Sequence, residues 1–289
     1  MATAILKEIF DIEIIRTRDK NILNELDLVY DVGGGKFDHH DVNKEYRNDG
    51  IPYAASGLIW KEFGREVINF KEHNIKDKDI DDVVEYIDNY LIKGIDAIDN
   101  GVEIHKEEIP IMNISSIISG FNPLWNSNKS EDVAFGNAVK IASYVLNNTI
   151  NNRLAILKGR DIVVKAYNKR ITPEILVLDK YCPWQETLKK IDKKKEVFFV
   201  IYPNKNRYTL TTVKEKNRHN RKSLPKSWAG RVGKELEEIT GVPDALFCHT
   251  GRFIATSKSY EGITKMALLA IEYPVKNNII NKIKSILKR

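Results

Sequence analysis

The sequence predicts an α/β protein, in which short strands alternate with amphipathic helices along the chain. Brief runs of branched and aromatic residues, such as Val197–Tyr202 and Arg207–Val213, are bounded by polar turns, as strands are. Between Ile80 and Leu91, apolar residues recur at the three- and four-residue spacing of a helix, with acidic residues opposite them. A length of 289 residues with 42% hydrophobic content is sufficient for two domains with separate cores.

The first half of the chain contains three predicted strands. Two of them are Glu13–Arg16 and Leu28–Tyr30, and Phe37–His40 is placed at the end of the third. Asp31 follows the second strand directly, and ligands of open α/β sheets bind outside the carboxyl ends of strands. The glycines at 33–35 permit a sharp turn before the third strand. These features predict a ligand site around Asp31.

The helices predicted in this half have clear end signals. They cover Thr3–Phe10, Pro52–Gly64, Ile80–Leu91 with an extension towards Asp99, and Ser130–Asn148. Asn100-Gly101 suits the carboxyl end of the third helix, and Ser130 is a predicted N-cap for the fourth.

The second half changes to short strands after a predicted boundary near residues 171–173, which gives domains of residues 1–170 and 171–289. Strands are predicted at Ile175–Leu178, Val197–Tyr202, Arg207–Val213, Leu246–His249 and Arg252–Thr256. Helices are predicted at Arg231–Thr240 and Glu261–Ile271, and a basic amphipathic helix at Val275–Arg289.

Composition argues against several classes of protein. No apolar run approaches the roughly 18–20 residues that span a bilayer, and the first residues lack the pattern of a signal peptide. The two cysteines, Cys182 and Cys248, are too few for a disulfide framework and are predicted to be buried apolar side chains. We therefore expect a cytoplasmic protein without a membrane partner.

The net charge of +6 is unevenly distributed. Residues 201–234 contain ten Lys or Arg and one acid, Glu215, with aromatic residues interleaved. This bias favours a polyanionic ligand such as nucleic acid over a merely solvated surface. Arg221 is a candidate substrate contact, with a solvated position as the alternative. Trp228 could stack on a base, but core packing is the preferred interpretation.

One short stretch, Val29–Gly50, is dense in groups that bind metals. Hydrolysis of a phosphate ester at neutral pH is well served by two divalent ions roughly 3.5–4 Å apart. Carboxylates suit Mg²⁺, and added imidazole shifts the preference towards Mn²⁺. The candidate donors are Asp31, His39, His40 and Asp99, while Asp38 could orient a histidine and Asp96 is predicted to support the ligands or face the core.

At these residues the chain resembles the DHH phosphoesterase superfamily. Asp38-His39-His40 is its name-giving motif, and Asp31 and Asp99 match its second and fourth motifs. Within the superfamily the chain is similar to the MYG family of metal-dependent hydrolases and 3′–5′ RNA exonucleases. The segments that carry this closer resemblance are Asp31–Gly34, Asp38–Asp41, Asp96–Gly101, Ser223–Gly230 and His249–Gly262.

The resemblance implies a catalytic domain with a parallel sheet and a smaller α/β substrate-binding domain, with the site in the cleft between them. It implies that Asp31 bridges the metals and that His39 and Asp99 are further ligands. His40, with Asp38, would be catalytic, and His40 would ligate a metal or contact the phosphate. In the second domain, the implied contacts to phosphate or nucleotide are His249, Arg252 and Lys258.

The chain departs from the family pattern at its start. Family members open with a strand and a His-containing first motif, whereas Met1–Ala4 corresponds to the helix just after them. We expect a truncated start rather than a degenerate homologue, and an active full-length form of which this chain is an inactive or weakly active part.

The first functional interpretation is a two-metal phosphodiesterase or exonuclease acting on RNA or short oligonucleotides, with Mn²⁺ favoured and Mg²⁺ as the alternative. The second is a non-catalytic protein that binds nucleic acid or a nucleotide. The third is a hydrolase of a small phosphoanhydride such as pyrophosphate. The substrate, the cleavage polarity and the oligomeric state stay open, with a homodimer as one candidate.

Overall fold

The structure is a computed structural model that describes residues 1–40, 44–103, 111–170, 172–215 and 219–273. The chain divides into two compact units, Met1–Leu154 and Ala155–Arg289, and each is described by itself. The long helix α7 (Glu131–Lys169) contributes residues to both units. None of the helices in the described residues combines the length and apolar character needed to cross a membrane.

The first unit is built from helices. They are α1 (Ala2–Leu6), α2 (Lys20–Leu23), α3 (Ala55–Lys71), α4 (Asp77–Ile87), α5 (Lys93–Asp99), α6 (Ile114–Ser119) and the first part of α7. Helix α3 packs against α1 and α4 and buries Ile59 and Trp60 among them. Ile80, Val83 and Ile87 of α4 are fully buried, which confirms the predicted apolar stripe.

Helices α4 and α5 are joined by a π-helical turn over Asp88–Ile92. Together they form one helical run that ends at Asp99. Gly101 adopts a left-handed φ of +72°, as expected of a glycine that follows a helix. The run therefore delivers Asp99 to the end of a helix that is anchored by buried residues over its whole length.

The structure corrects the prediction of strands in the first half of the chain. Within the described residues of the first unit, Glu13–Arg16, Leu28–Tyr30 and Phe37–His40 form no strand, and Tyr30 and Phe37 make only an isolated parallel bridge. The parallel sheet implied for this domain is thus not found in these residues. A three- or four-residue apolar run becomes a strand only when a neighbouring backbone completes its ladder of hydrogen bonds.

Several predicted helix ends were also wrong. Helix α1 ends at Leu6 and not at Phe10, and the helix predicted to begin at Arg231 begins at Lys234. Helix α3 continues past Gly64 to Lys71, because Val67 and Ile68 extend its buried face and Gly64 lies against the ring of Trp60. Helix α7 continues past Asn148 to Lys169, since buried Ile150 and further apolar residues extend its inward face. A single glycine weakens a helix without ending it when the apolar pattern continues.

The second unit contains a five-stranded mixed sheet in the order β1-β2-β3-β5-β4. Its strands are β1 (Ile175–Val177), β2 (Phe199–Asn204), β3 (Arg207–Thr212), β4 (Ala245–Cys248) and β5 (Ile254–Ser257). Strand β1 pairs with β2 in parallel, and the other pairs are antiparallel. All five predicted strands are confirmed, and the α/β class is correct for this unit.

Two apolar clusters cover the two faces of this sheet. One contains Phe199, Leu210 and residues of α9 (Lys234–Thr240) and α10 (Tyr260–Glu272). The other contains Val200 and residues of α7 and of α8 (Gln185–Ile191), a helix that the sequence did not predict. Both thiols are free and buried, and burial raises the pKa of Cys248 to about 11. Trp228, in a 3₁₀ turn at Lys226–Trp228, is buried in the first cluster, which confirms its predicted packing role.

Two predicted features lie outside the described residues. They are the C-terminal helix at Val275–Arg289 and part of the basic stretch, at residues 216–218.

A buried ion pair ties the second unit together. Asp192 accepts hydrogen bonds from the guanidinium of Arg221 and from the backbone N–H groups of Glu196 and Val197. Burial alone would raise the pKa of Asp192, but these hydrogen bonds outweigh it and hold the pKa below its usual value. The carboxylate is therefore stabilised in its ionised form within the fold.

We expect Asp192→Asn to lower the free energy of unfolding by about 3 kcal/mol at pH 7, because the buried Arg221 would lose a charged partner. The folded pKa of Asp192 lies below its unfolded value. Its contribution is therefore present above about pH 4, the unfolded pKa, and is lost as the pH falls through the folded pKa. Urea unfolding at pH 7 and pH 3 measures both effects. Glu186→Gln, which removes the exposed ion pair with Lys190, is the control with an expected change below about 0.5 kcal/mol. Equal losses in the two variants contradict the prediction.

Candidate metal centre

A tight loop brings the predicted donors together. Asp31 adopts a left-handed φ of +67°, and Gly33 and Gly34 follow with φ of +88° and +73°. The N–H of Asp31 donates to the carbonyl of Phe37 at 3.0 Å, which closes the loop. The turn predicted from the three glycines is therefore present, and it places Asp31 beside the residues that follow Phe37.

Asp38 organises this loop from inside. Its carboxylate accepts hydrogen bonds from the N–H of Gly34 at 2.8 Å and the N–H of His40 at 3.0 Å, and Nδ1 of His40 lies 2.8 Å away. Burial works to raise the pKa of Asp38, but these hydrogen bonds outweigh it and bring the pKa below its usual value. An ionised Asp38 thus holds the His40 ring in one orientation.

His39 lies between two carboxylates. Its Nδ1 is 3.4 Å from an oxygen of Asp31, and its Nε2 is 3.2 Å from an oxygen of Asp99. The His39 side chain is only 8% exposed, and its Nδ1 has no hydrogen-bond partner among the described residues. Burial, with Asp99 adding to it and His39 opposing it, raises the pKa of Asp31. A buried nitrogen without a partner beside such a carboxylate is the arrangement expected of a ligand set.

The donor set suits a divalent cation. One donor atom from each of Asp31, His39 and His40 lies within 4.8 Å of the others. The rings of His39 and His40 are 4.1 Å apart between centroids, and Asp99 completes the group through its contact with His39. Mixed carboxylate and imidazole donors are typical of Mn²⁺ and of heavier ions. The structure therefore brings together the four candidate donors and Asp38, the residue predicted to orient a histidine.

A buried cluster of charged side chains, Arg47 with Asp88 and Asp96, lies one helical turn before Asp99; we call it the clamp. Asp96 has no exposed surface, as its predicted core-facing position requires, and accepts hydrogen bonds from Arg47 at 2.8 Å and from the N–H of Gly57 at 3.0 Å. Arg47 also donates to both oxygens of Asp88, at 2.6 and 2.8 Å. Burial disfavours the charge on Arg47, but the hydrogen bonds to the two carboxylates outweigh it and raise the pKa of Arg47.

The clamp joins three elements of the first unit. Arg47 lies in the loop after the two histidines, Gly57 in the first turn of α3, and Asp96 in α5 one turn before Asp99. A Cβ at Gly57 would overlap the carboxylate of Asp96, so a glycine is required for this approach. Sequence reasoning did not identify Arg47, since its partners lie 41 and 49 residues away in the chain.

In the second unit, the predicted substrate contacts lie at the ends of β4 and β5. The N–H of Gly251 donates to Nδ1 of His249 at 2.9 Å, so a neutral His249 carries its proton on Nε2. The His249 ring packs against Phe253 at 4.4 Å. Arg252 has a left-handed φ of +56°, and Lys258, which follows β5 directly, is exposed.

Arg221 is placed differently from what its predicted role requires. Its guanidinium is buried and donates to Asp192, to Glu215 and to the carbonyl of Val197. A substrate contact by Arg221 therefore stays a prediction, and the geometry assigns the side chain to holding the fold.

Comparison with known proteins found a family model and several relatives that match most of this chain. Residues 1–271 match the model of the MYG1 exonuclease family, described as an uncharacterised protein family (UPF0160). The MYG1 protein of Schizosaccharomyces pombe is 28% identical, covering 91% of this chain and 89% of its own length. The MYG1 exonuclease of Homo sapiens is 27% identical over 91% of this chain and 79% of its own length. The MYG1 protein of Chlamydia pneumoniae is 28% identical over 91% and 89%. No solved structure is significantly similar.

We expect Arg47→Ala to lower the free energy of unfolding by about 3–5 kcal/mol, because Asp96 would remain buried without its cation. Arg47→Lys keeps the charge but cannot reproduce the planar fork to two carboxylates, so an intermediate loss is expected. Thermal unfolding at pH 7 measures both variants. The matched control is Arg65→Ala, which removes an exposed pair with Asp77 and Asp81 between α3 and α4. A loss no larger than that of the control would show that the clamp does not stabilise the unit.

Proposed function

The chain belongs to the MYG1 exonuclease family, and on that premise we propose that it is a metal-dependent exonuclease acting on phosphodiester bonds of RNA or short oligonucleotides. The observation that carries the proposal is His39, whose buried Nδ1 lacks a hydrogen-bond partner among the described residues and lies 3.4 Å from Asp31. The mouse and human relatives are named MYG1 exonuclease, which supports a nuclease-type activity.

The residues that would hold divalent ions are Asp31, His39 and Asp99, with His40 beside them. We propose that the site holds two Mn²⁺ ions, with Mg²⁺ as the alternative. When bound, such ions neutralise charge on the phosphoryl oxygens and lower the pKa of a bound water. A cation would also relieve the cost of the partly buried carboxylate of Asp31, whose pKa is raised by burial.

His40 is proposed to act on the phosphate or on a metal through Nε2. Asp38 engages Nδ1 of His40 at 2.8 Å, so in neutral His40 the proton lies on Nδ1 and the lone pair on Nε2. The His40 side chain is largely exposed, whereas that of Asp38 is buried. This difference in exposure supports a role for Asp38 in orienting the His40 ring and a role for His40 in contacting the phosphate or a metal.

The second unit is proposed to bind the nucleic-acid backbone. The Nε2–H of His249 and the exposed ammonium of Lys258 are donors suited to phosphate oxygens. Lys222 and Lys226 add positive charge from the basic stretch. Such contacts release counterions from the nucleic acid, so binding should weaken steeply with salt.

We expect Asp31→Asn and His39→Ala to lose more than about 100-fold in Mn²⁺ affinity, with a matching loss of Mn²⁺-dependent cleavage of a labelled oligoribonucleotide. Isothermal calorimetry with Mn²⁺ reports the affinity separately from catalysis. His73→Ala, a histidine on the same unit outside the site, is the matched control and should bind as the parent chain does. Retained affinity in both site variants would falsify the assignment. A parent chain that binds oligonucleotide but no Mn²⁺ would favour the non-catalytic interpretation instead.

We expect the chain to prefer single-stranded RNA to pyrophosphate by at least about tenfold in kcat/KM, because the second unit offers cationic contacts well beyond one phosphate. The KM for RNA should rise with salt, and that for pyrophosphate should rise less. Phosphate release and fragment analysis on parallel samples measure the two reactions. A preference for pyrophosphate would identify a phosphoanhydride hydrolase.

A further inference from the structure

Trp125 differs from the other three tryptophans of the chain. Trp60, Trp184 and Trp228 are buried, whereas Trp125 is 96% exposed. A large aromatic ring left in water is unfavourable, and its exposure commonly marks a surface that meets a ligand.

Other apolar side chains near Trp125 in the sequence are also exposed. Leu124 is 71% exposed and Met112 is 78% exposed, and Ile117 of α6 is exposed beside them in sequence. We call these four residues the Trp125 surface. Residues 111–128 contain no charged side chain, although charged residues make up 30% of the chain, and they include four Asn and four Ser.

The segment that carries the Trp125 surface contacts, through α6, the helix that ends at Asp99. Helix α6, which carries Ile117, contacts α5 within the first unit. Helix α5 ends at Asp99, which lies 3.2 Å from Nε2 of His39. The apolar, uncharged segment is therefore joined to the helix that presents a proposed metal ligand.

We infer that the Trp125 surface binds the nucleobases of a single-stranded substrate, with a base stacked on the Trp125 ring. This inference rests on the proposed exonuclease function and names how that function recognises its substrate. Phosphate binding requires cations, which residues 111–128 lack, whereas bases offer a π-face for stacking and edges that amide and hydroxyl groups can bond. Because every base has a π-face, the surface would accept single strands with little sequence preference.

Trp125 provides its own reporter, since the three other tryptophans are buried. Acrylamide quenching of tryptophan fluorescence in the full chain should fall when a single-stranded 12-mer oligoribonucleotide is added in EDTA, where no cleavage occurs. Trp125→Ala should weaken binding of the fluorescein-labelled 12-mer, measured by anisotropy, by about 5- to 150-fold. Trp125→Phe should recover most of the affinity, because phenylalanine also stacks.

The control variant is Tyr144→Ala, which removes another exposed aromatic ring of the first unit, on α7, and should leave binding unchanged. Mn²⁺ affinity measured by calorimetry should be the same in Trp125→Ala and in the parent chain. Oligonucleotide binding without protection of Trp125, or equal affinity in Trp125→Ala, overturns the inference. Protection that grows with protein concentration in the absence of RNA also overturns it and identifies a second copy of the chain as the occupant.

The two proposals fail differently. A parent chain that binds no Mn²⁺ removes the proposed function. Loss of 12-mer binding in Trp125→Ala would still establish the base-stacking surface in that case. Conversely, Mn²⁺-dependent cleavage that survives unchanged in Trp125→Ala, with unchanged KM for the 12-mer, removes the surface and leaves the metal site standing.

Discussion

The first unit depends on the carboxylate of Asp96, which has no contact with solvent. A buried carboxylate is tolerated only when its oxygens are hydrogen-bonded and its charge is paired. Asp96 meets both conditions by drawing in Arg47, the hydroxyl of Ser56 and the N–H of Gly57. The loop after the two histidines, the start of α3 and the body of α5 must therefore meet at one point.

The geometry of the candidate metal centre depends on this meeting point. Asp99 lies three residues after Asp96 on α5, which fixes one side of the group. The other side is fixed by the loop in which Asp38 bonds Gly34 and His40. Lys44, which donates to Asn100 at 2.9 Å, connects the chain following that loop to the end of α5. A site of this kind keeps its donors in place before any ligand arrives, which lowers the cost of binding.

The second unit was largely predictable from sequence, whereas in the first unit the main helices were predicted and the three strands were predicted wrongly. Strands β2 and β3 are adjacent in sequence and pair with each other, so the local pattern contains most of the information. Helix α8 was missed because two turns give too little periodicity to recognise. In the first unit, Leu28–Tyr30 has a strand-like composition, yet a strand is defined by partners that a local pattern cannot supply.

The candidate donors were identified from residue type and motif, whereas their environments were not. His39 and His40 are neighbours in sequence, but one is buried and the other is largely exposed. That difference arises from carboxylates on two sides of His39, one of which is 60 residues distant in the chain. The pairing of Arg47 with Asp96 likewise depends on tertiary packing, which no spacing rule describes.

The left-handed backbone conformation of Asp31 affects which substitutions this position favours. Asp31 has a φ of +67°, which strains the backbone of a residue that carries a side chain. Glycine or asparagine would adopt the same conformation at lower cost. A substitution that relieves this strain would therefore remove a candidate metal ligand. At this position the stability of the fold and the proposed activity would therefore favour different residues.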